Sequence, residues 1–169
     1  SGVVRCRAGA FVSYTIAEGL ASNAAETVYE DSKGALWVGT TKGISRWFRE
    51  GLRTVSRAVA PVSSISEDNQ GRIWAGTPHG VSIFDGRLWR QLPDIHTDIH
   101  VIYRDRAGRM WVGSTEGAIV DDHGHIKRLT QADGLPGNYV KSILEDRDGA
   151  LWFGTSTGLA RVDRGKVTS

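Results

Sequence analysis

Glu145-Asp-Arg-Asp-Gly-Ala-Leu-Trp-Phe-Gly154 decides the fold, because this phrase occurs four times in the chain. The other copies are Glu30-Asp-Ser-Lys-Gly-Ala-Leu-Trp-Val-Gly39, Glu67-Asp-Asn-Gln-Gly-Arg-Ile-Trp-Ala-Gly76 and Arg104-Asp-Arg-Ala-Gly-Arg-Met-Trp-Val-Gly113. Trp37, Trp74, Trp111 and Trp152 mark periods of 37, 37 and 41 residues, the range in which a repeat means a solenoid or a propeller.

Working outward, each copy reads as strands joined by tight turns. In Asp146-Arg-Asp-Gly149 the first carboxylate bonds to the backbone two residues on, and the glycine takes the positive φ that closes a hairpin. Alternating stretches flank it, Tyr139-Val-Lys-Ser-Ile-Leu144 before and Ala150-Leu-Trp-Phe-Gly-Thr155 after, with the period of two of half-buried strands. A second turn at Ser156-Thr-Gly158 leads to a third strand, Leu159–Val162, and Asp163-Arg-Gly165 leads to a fourth. The closing strands are expected at Leu52–Ser56, Leu88–Leu92, Ile126–Thr130 and Lys166–Ser169. The fold class is therefore all-β, a propeller of four-stranded antiparallel blades. Helical periodicity is nowhere sustained.

Recurrence in every copy points to packing. Trp37, Trp74, Trp111 and Trp152 are expected to fill the space between sheets. Gly39, Gly76, Gly113 and Gly154 follow two residues later, where a missing side chain marks the close approach of another backbone. Asp31, Asp68, Asp105 and Asp146 are expected to build the turns.

The carboxylate pair, turn glycine, Leu-Trp-Val-Gly-Thr strand and following Thr-x-Gly-Leu-x-Arg resemble the two-component regulator propeller repeat of bacteria. The copies from Gly134 to Thr155 and from Gly19 to Thr40 carry it best, and the resemblance covers nearly the whole chain. The third copy departs from it at Arg104 and Ser114, and the second runs through Ala60-Pro-Val62 in place of a Gly-Leu-x-x-Asn segment. The resemblance implies an extracytoplasmic sensor region of a hybrid histidine kinase, another kinase or a cyclic-dinucleotide synthase. It implies a periplasmic location, with any membrane segment outside this chain. It also implies a binding role, with an oligosaccharide as the first ligand class, and no catalysis.

Gly2–Thr15 aligns with Gly158–Ser169, so the chain opens with the last two strands of a blade. The expected divisions are 1–15 for this partial blade, then blades at 16–56, 57–92, 93–130 and 131–169. An open blade edge invites pairing. Three arrangements follow: a part of a larger, roughly seven-bladed ring, self-association through open edges, or four blades closing alone.

Composition narrows the function classes. The 21 Lys and Arg against 19 Asp and Glu give a net charge of +2 without runs, which is not the footprint of a nucleic-acid binder. Cys6 is alone, so no internal disulfide forms. No stretch of about 18 apolar residues spans a membrane.

Segments joining blades and turns between second and third strands share one face, and loops on a rigid scaffold carry recognition. Ligand-binding candidates there are Asn23, Lys42, His79, His96, His100, Glu116, Asn138, Tyr139 and Lys141, although Asn23 and Asn138 serve equally well as caps of their own loops. The pairs Glu30/Asp31, Glu67/Asp68 and Glu145/Asp146 fall once per blade at turns of the opposite face, which does not flank one bond as glycoside hydrolysis requires. His123 and His125, expected on one side of a strand, have a metal-ligand spacing, as do His96 and His100, but a site also needs a third ligand and its supporting shell, for which Asp121 and Asp122 in a turn are thin support. No metal and no cofactor is expected, and no serine-nucleophile motif, phosphate loop or CxxC is present. The alternative function is a structural or protein-interaction propeller. Trp47 and Trp89, placed on outer strands, would favour it if exposed together.

Overall fold

The computed structural model describes residues 2–169. Each repeat forms one sheet whose four strands pair in chain order. The first blade comprises β3 (Ala25–Glu30), β4 (Leu36–Thr40), β5 (Gly43–Phe48) and β6 (Gly51–Ser56). The second comprises β7 (Ser64–Glu67), β8 (Ile73–Thr77), β9 (Gly80–Phe84) and β10 (Trp89–Gln91). The third comprises β11 (Ile99–Arg104), β12 (Met110–Ser114), β13 (Gly117–Asp122) and β14 (His125–Leu129). The fourth comprises β15 (Val140–Glu145), β16 (Leu151–Thr155), β17 (Leu159–Asp163) and β18 (Lys166–Thr168). Ahead of them, β1 (Val3–Arg7) and β2 (Ala10–Tyr14) form a two-stranded sheet. First strands of successive blades neighbour one another, so β3, β7, β11 and β15 are the inner strands of the array.

The hairpin turn does more than the sequence reading assigned to it. Asp31 Oδ1 accepts the backbone N–H groups of Lys33 and Ala35, and Gly34 closes the turn at φ 75°. Its other oxygen accepts the indole N–H of Trp37 at 2.9 Å. The same bond joins Trp74 to Asp68, Trp111 to Asp105 and Trp152 to Asp146, at 2.9, 2.9 and 2.8 Å. One carboxylate thus shapes each turn and satisfies a polar atom that an apolar blade junction would otherwise orphan.

Each aspartate also has an arginine, drawn from one of two positions. Arg72 and Arg109 reach Asp68 and Asp105 from within the turn, with Nε at 2.6 and 2.7 Å. The first and fourth blades hold Ala35 and Ala150 there, and Arg46 and Arg161 approach Asp31 and Asp146 from the third strand, at 3.7 and 3.8 Å. Burial pushes the Asp31 and Asp68 carboxyls up, but the indole and backbone donors outweigh it and hold both below the usual carboxylate range. In Asp146 the Trp152 bond is the main cause of the same downward shift.

The core is a series of blade junctions. Trp37 packs with Val62, Ile65, Ile73 and Ala75, Trp74 with Ile99, Ile102, Met110 and Val112, and Trp111 with Val140, Ile143, Leu151 and Phe153. The repeat glycines make this possible mainly by admitting side chains on and just before the inner strands; the expected close approach of another backbone holds at Gly113, where a Cβ would lie 3.0 Å from Val140 O. A Cβ on Gly39 would lie 2.6 Å from Thr27 Cγ2 and 2.7 Å from Val62 Cγ1, and one on Gly76 would lie 2.6 Å from Ile99 Cγ2. Trp47, on β5, and Trp89, on β10, form no common exposed patch. Trp47 meets the edge of Tyr14 at 4.8 Å, and Trp89 packs on Phe84 and Trp37 at 5.2 and 6.3 Å.

Candidate functional site

The inner strands carry a β-bulge in three of the four blades. Pairing slips by one residue between Ala25 and Thr27, between Ile99 and Val101, and between Val140 and Ser142. The extra residues are Glu26, His100 and Lys141, and a bulge re-aims its side chain away from the regular alternation. The equivalent residue of the second blade is Ser63, whose hydroxyl donates to the carbonyl of Ile99 in the next blade.

Two of these residues converge on a tyrosine. The His100 ring lies 4.5 Å from the Tyr139 ring, edge to face, and Lys141 Nζ stands 5.1 Å from the Tyr139 centroid. Tyr139 remains 38% exposed, while His100 Nε2 is enclosed without a hydrogen-bond partner. An ammonium and an exposed aromatic face, backed by an imidazole whose Nε2 is enclosed, therefore meet between the third and fourth blades. Such a set provides donors for hydroxyl or acidic oxygens and a plate for a flat apolar surface.

The remaining candidates sit around this cluster without joining it. Lys42, His79 and Glu116 are exposed in the turns between second and third strands. These turns lie beside the starts of the inner strands: Thr41 N–H donates to Ala24 O and Thr115 N–H to Asp98 O. His96 is exposed in the loop before β11. Asn23 and Asn138 each use Oδ1 to accept a backbone N–H seven residues upstream, from Ile16 and Gln131, both at 2.8 Å. Each closes a loop opened by a single 3₁₀ turn with a reciprocal cap, Thr15 with Glu18 and Thr130 with Asp133.

His123 does not alternate along a strand with His125. It lies in the β13–β14 turn at φ 54°, 3.9 Å from Asp122. Among the described residues no three His, Cys, Asp or Glu side chains converge as a metal-ligand set, and no helix is long and apolar enough to cross a membrane. Glu26 was absent from the candidates read from sequence, yet a signal existed. Glu26, Ser63, His100 and Lys141 each precede the repeat tryptophan by eleven residues.

Comparison with known proteins follows the same four units. The family model described as "Two component regulator propeller" matches residues 19–42, 57–79, 94–116 and 134–157. No curated protein matches the chain. Among solved structures, the extracellular domain of a putative hybrid two-component system from B. thetaiotaomicron superposes with a TM-score of 0.76 at 19% identity, covering 92% of this chain and 23% of that one. A second such domain from the same organism gives 0.59 at 22% identity, with 95% and 30% covered. Virginiamycin B lyase from Staphylococcus aureus gives 0.73 at 19% identity, with 95% and 59% covered. The chain thus spans under a third of the two-component domains, and at these identities the likeness is one of fold, which those extracellular domains and a lyase share.

Proposed function

The chain belongs to the two component regulator propeller family, and from that premise we propose that it is a sensing module of a bacterial two-component-type receptor. The module binds a polar ligand and does no chemistry on it. It works on the outer, periplasmic side of a membrane, and the ligand acts by biasing how blades or rings pack, to an extent limited by its differential affinity for the two arrangements. The observation that carries the reading is the meeting of His100, Tyr139 and Lys141 at the bulged inner strands. An oligosaccharide suits it: sugar C–H faces lie on an aromatic ring, and hydroxyl or carboxylate oxygens take the lysine donors. The non-catalytic reading is supported by the repeat aspartates, each of which is occupied by an indole N–H.

The test is an NMR titration of the labelled chain with neutral and acidic oligosaccharides. Saturable shifts at His100, Tyr139 and Lys141, abolished in H100A/K141A, are expected. No shifts there with any saccharide, or binding that survives both substitutions, defeats the sugar reading. A protein-binding propeller is the second reading, favoured by Leu144 and Leu159, which stand exposed on the fourth blade. Loss of partner capture in L144E/L159E, with sugars inert, would select it.

A further inference from the structure

At the three junctions between complete blades one arrangement recurs. The tryptophan of the preceding blade packs with one apolar residue from each of the next blade's first two strands: Trp37 with Ile65 and Ile73, Trp74 with Ile102 and Met110, Trp111 with Ile143 and Leu151. Ile65, Ile102 and Ile143 keep only 5, 5 and 8% exposure. Val28 and Leu36 hold these positions in the first blade, and Val28 is 51% exposed. They line a cleft of about 540 Å³ together with Val38, Trp47 and Leu52, and its far wall is Val3–Arg5 of β1 with Tyr14.

Two further features of the cleft repeat the junction pattern with one side missing. Between the first and second blades Ser32 N–H donates to the Glu67 carboxylate at 2.7 Å, and between the third and fourth Arg106 N–H donates to Glu145 at 2.8 Å. Glu30 is the equivalent carboxylate of the first blade; it lines the cleft, and no side-chain hydrogen bond or ion pair engages it among the described residues. In addition β1 pairs only with β2, so its other edge is open.

We propose that this cleft is the seat of a two-stranded β-hairpin of the repeat's own kind. Its second strand pairs with the open edge of β1, its tryptophan covers Val28 and Leu36, and its aspartate-led turn donates a backbone N–H to Glu30. A small apolar ligand would match the lining but leave the strand edge and the carboxylate unanswered. A complete four-stranded blade is blocked, because β1 and β2 already cover Trp47 and Leu52 on the outer strands of the first blade. The cleft continues an interface that the chain builds three times over, so the occupant is specified by strand, indole and turn together.

The test uses a backbone-cyclised peptide carrying residues 140–155, the β15–β16 hairpin, titrated into the isotope-labelled chain. Saturable binding is expected, with shifts confined to Val3–Arg7, Val28, Glu30, Leu36 and Trp47, and slowed amide exchange along β1. The peptide with Trp152→Ala should bind at least about tenfold more weakly, as should the protein with Val28→Glu or Glu30→Lys, both at exposed positions where an unchanged melting curve verifies folding. Absence of binding, or binding indifferent to these changes, overturns the assignment. So does a concentration-dependent dimer in light scattering that excludes the peptide, which would give the cleft to a second copy.

Discussion

Replacing Asp68 by alanine tests the account of the turn most directly. Asp68 accepts Trp74 Nε1 at 2.9 Å, Arg72 Nε at 2.6 Å and the backbone N–H groups of Arg72 and Gln70 at 3.0 and 2.9 Å. Water reaches the turn and can accept from the backbone N–H groups in place of the carboxylate, but the Trp74 side chain is enclosed and its N–H would be orphaned. A hydrogen bond to a charged group contributes about 1.5–3 kcal/mol, and a buried donor left unsatisfied costs about 1–3 kcal/mol. The two views overlap, so the loss is about 3 kcal/mol. With a urea m-value of about 2 kcal/mol/M the midpoint falls by about 1.5 M. The assay is equilibrium unfolding followed by tryptophan fluorescence and far-UV circular dichroism together, since a repeat array can lose cooperativity. Asp146→Ala is the internal control. It removes an equivalent bond to Trp152, in a blade whose tryptophan is half-covered, so its midpoint shift should be less than about half as large. Equal shifts for the two variants, or a shift below about 0.5 M for Asp68→Ala, would refute the argument that burial makes this bond expensive to lose.

Three other outcomes are expected. Gly76→Ala places a Cβ 2.6 Å from Ile99 Cγ2 and 3.1 Å from its Cβ, so overpacking should cost about 1–3 kcal/mol in thermal or urea unfolding. Asp31 and Asp68 have lowered folded-state pKa values, so their contribution is complete above the unfolded carboxyl value of about 4 and drains away as the pH falls below it; unfolding curves at pH 6 and 3 should differ, and less so in Asp68→Asn. Glu67→Ala removes the acceptor of Ser32 N–H and Oγ across the first junction, and hydrogen exchange should quicken at Ser32 while β15–β18 stay unchanged.

The fold was legible because each of its rules is local and repeated. The Asp-x-x-Gly spacing dictates a turn, alternation dictates strands, and four copies at one period dictate an array. The Asp–Trp bond was within reach of the same reading, since the two residues keep a separation of six in every copy. The exchange of Arg72 and Arg109 for Arg46 and Arg161 was harder to see. It requires knowing that a turn residue and a third-strand residue approach one carboxylate from two sides.

The candidate site was legible only as residue types on a face. Sequence placed His100, Tyr139 and Lys141 among nine candidates, with no means of joining residues 39 and 41 positions apart. Their meeting depends on bulges in two inner strands and on the angle between blades, which set where the side chains point. Asn23 and Asn138 went the other way, drawn into closing their own loops by backbone donors seven residues away.

By itself, then, the sequence determined the blade, its turns, its core tryptophans and the family, because these follow from short-range chemistry repeated four times. Tertiary structure alone decided which polar side chains converge, that Trp47 and Trp89 are turned into junctions, and that Val28 and Glu30 stand exposed, with Leu36 half-buried, beside the free edge of β1. Those properties belong to packing between sheets, where a side chain's surroundings come from residues tens of positions away and no local pattern records them.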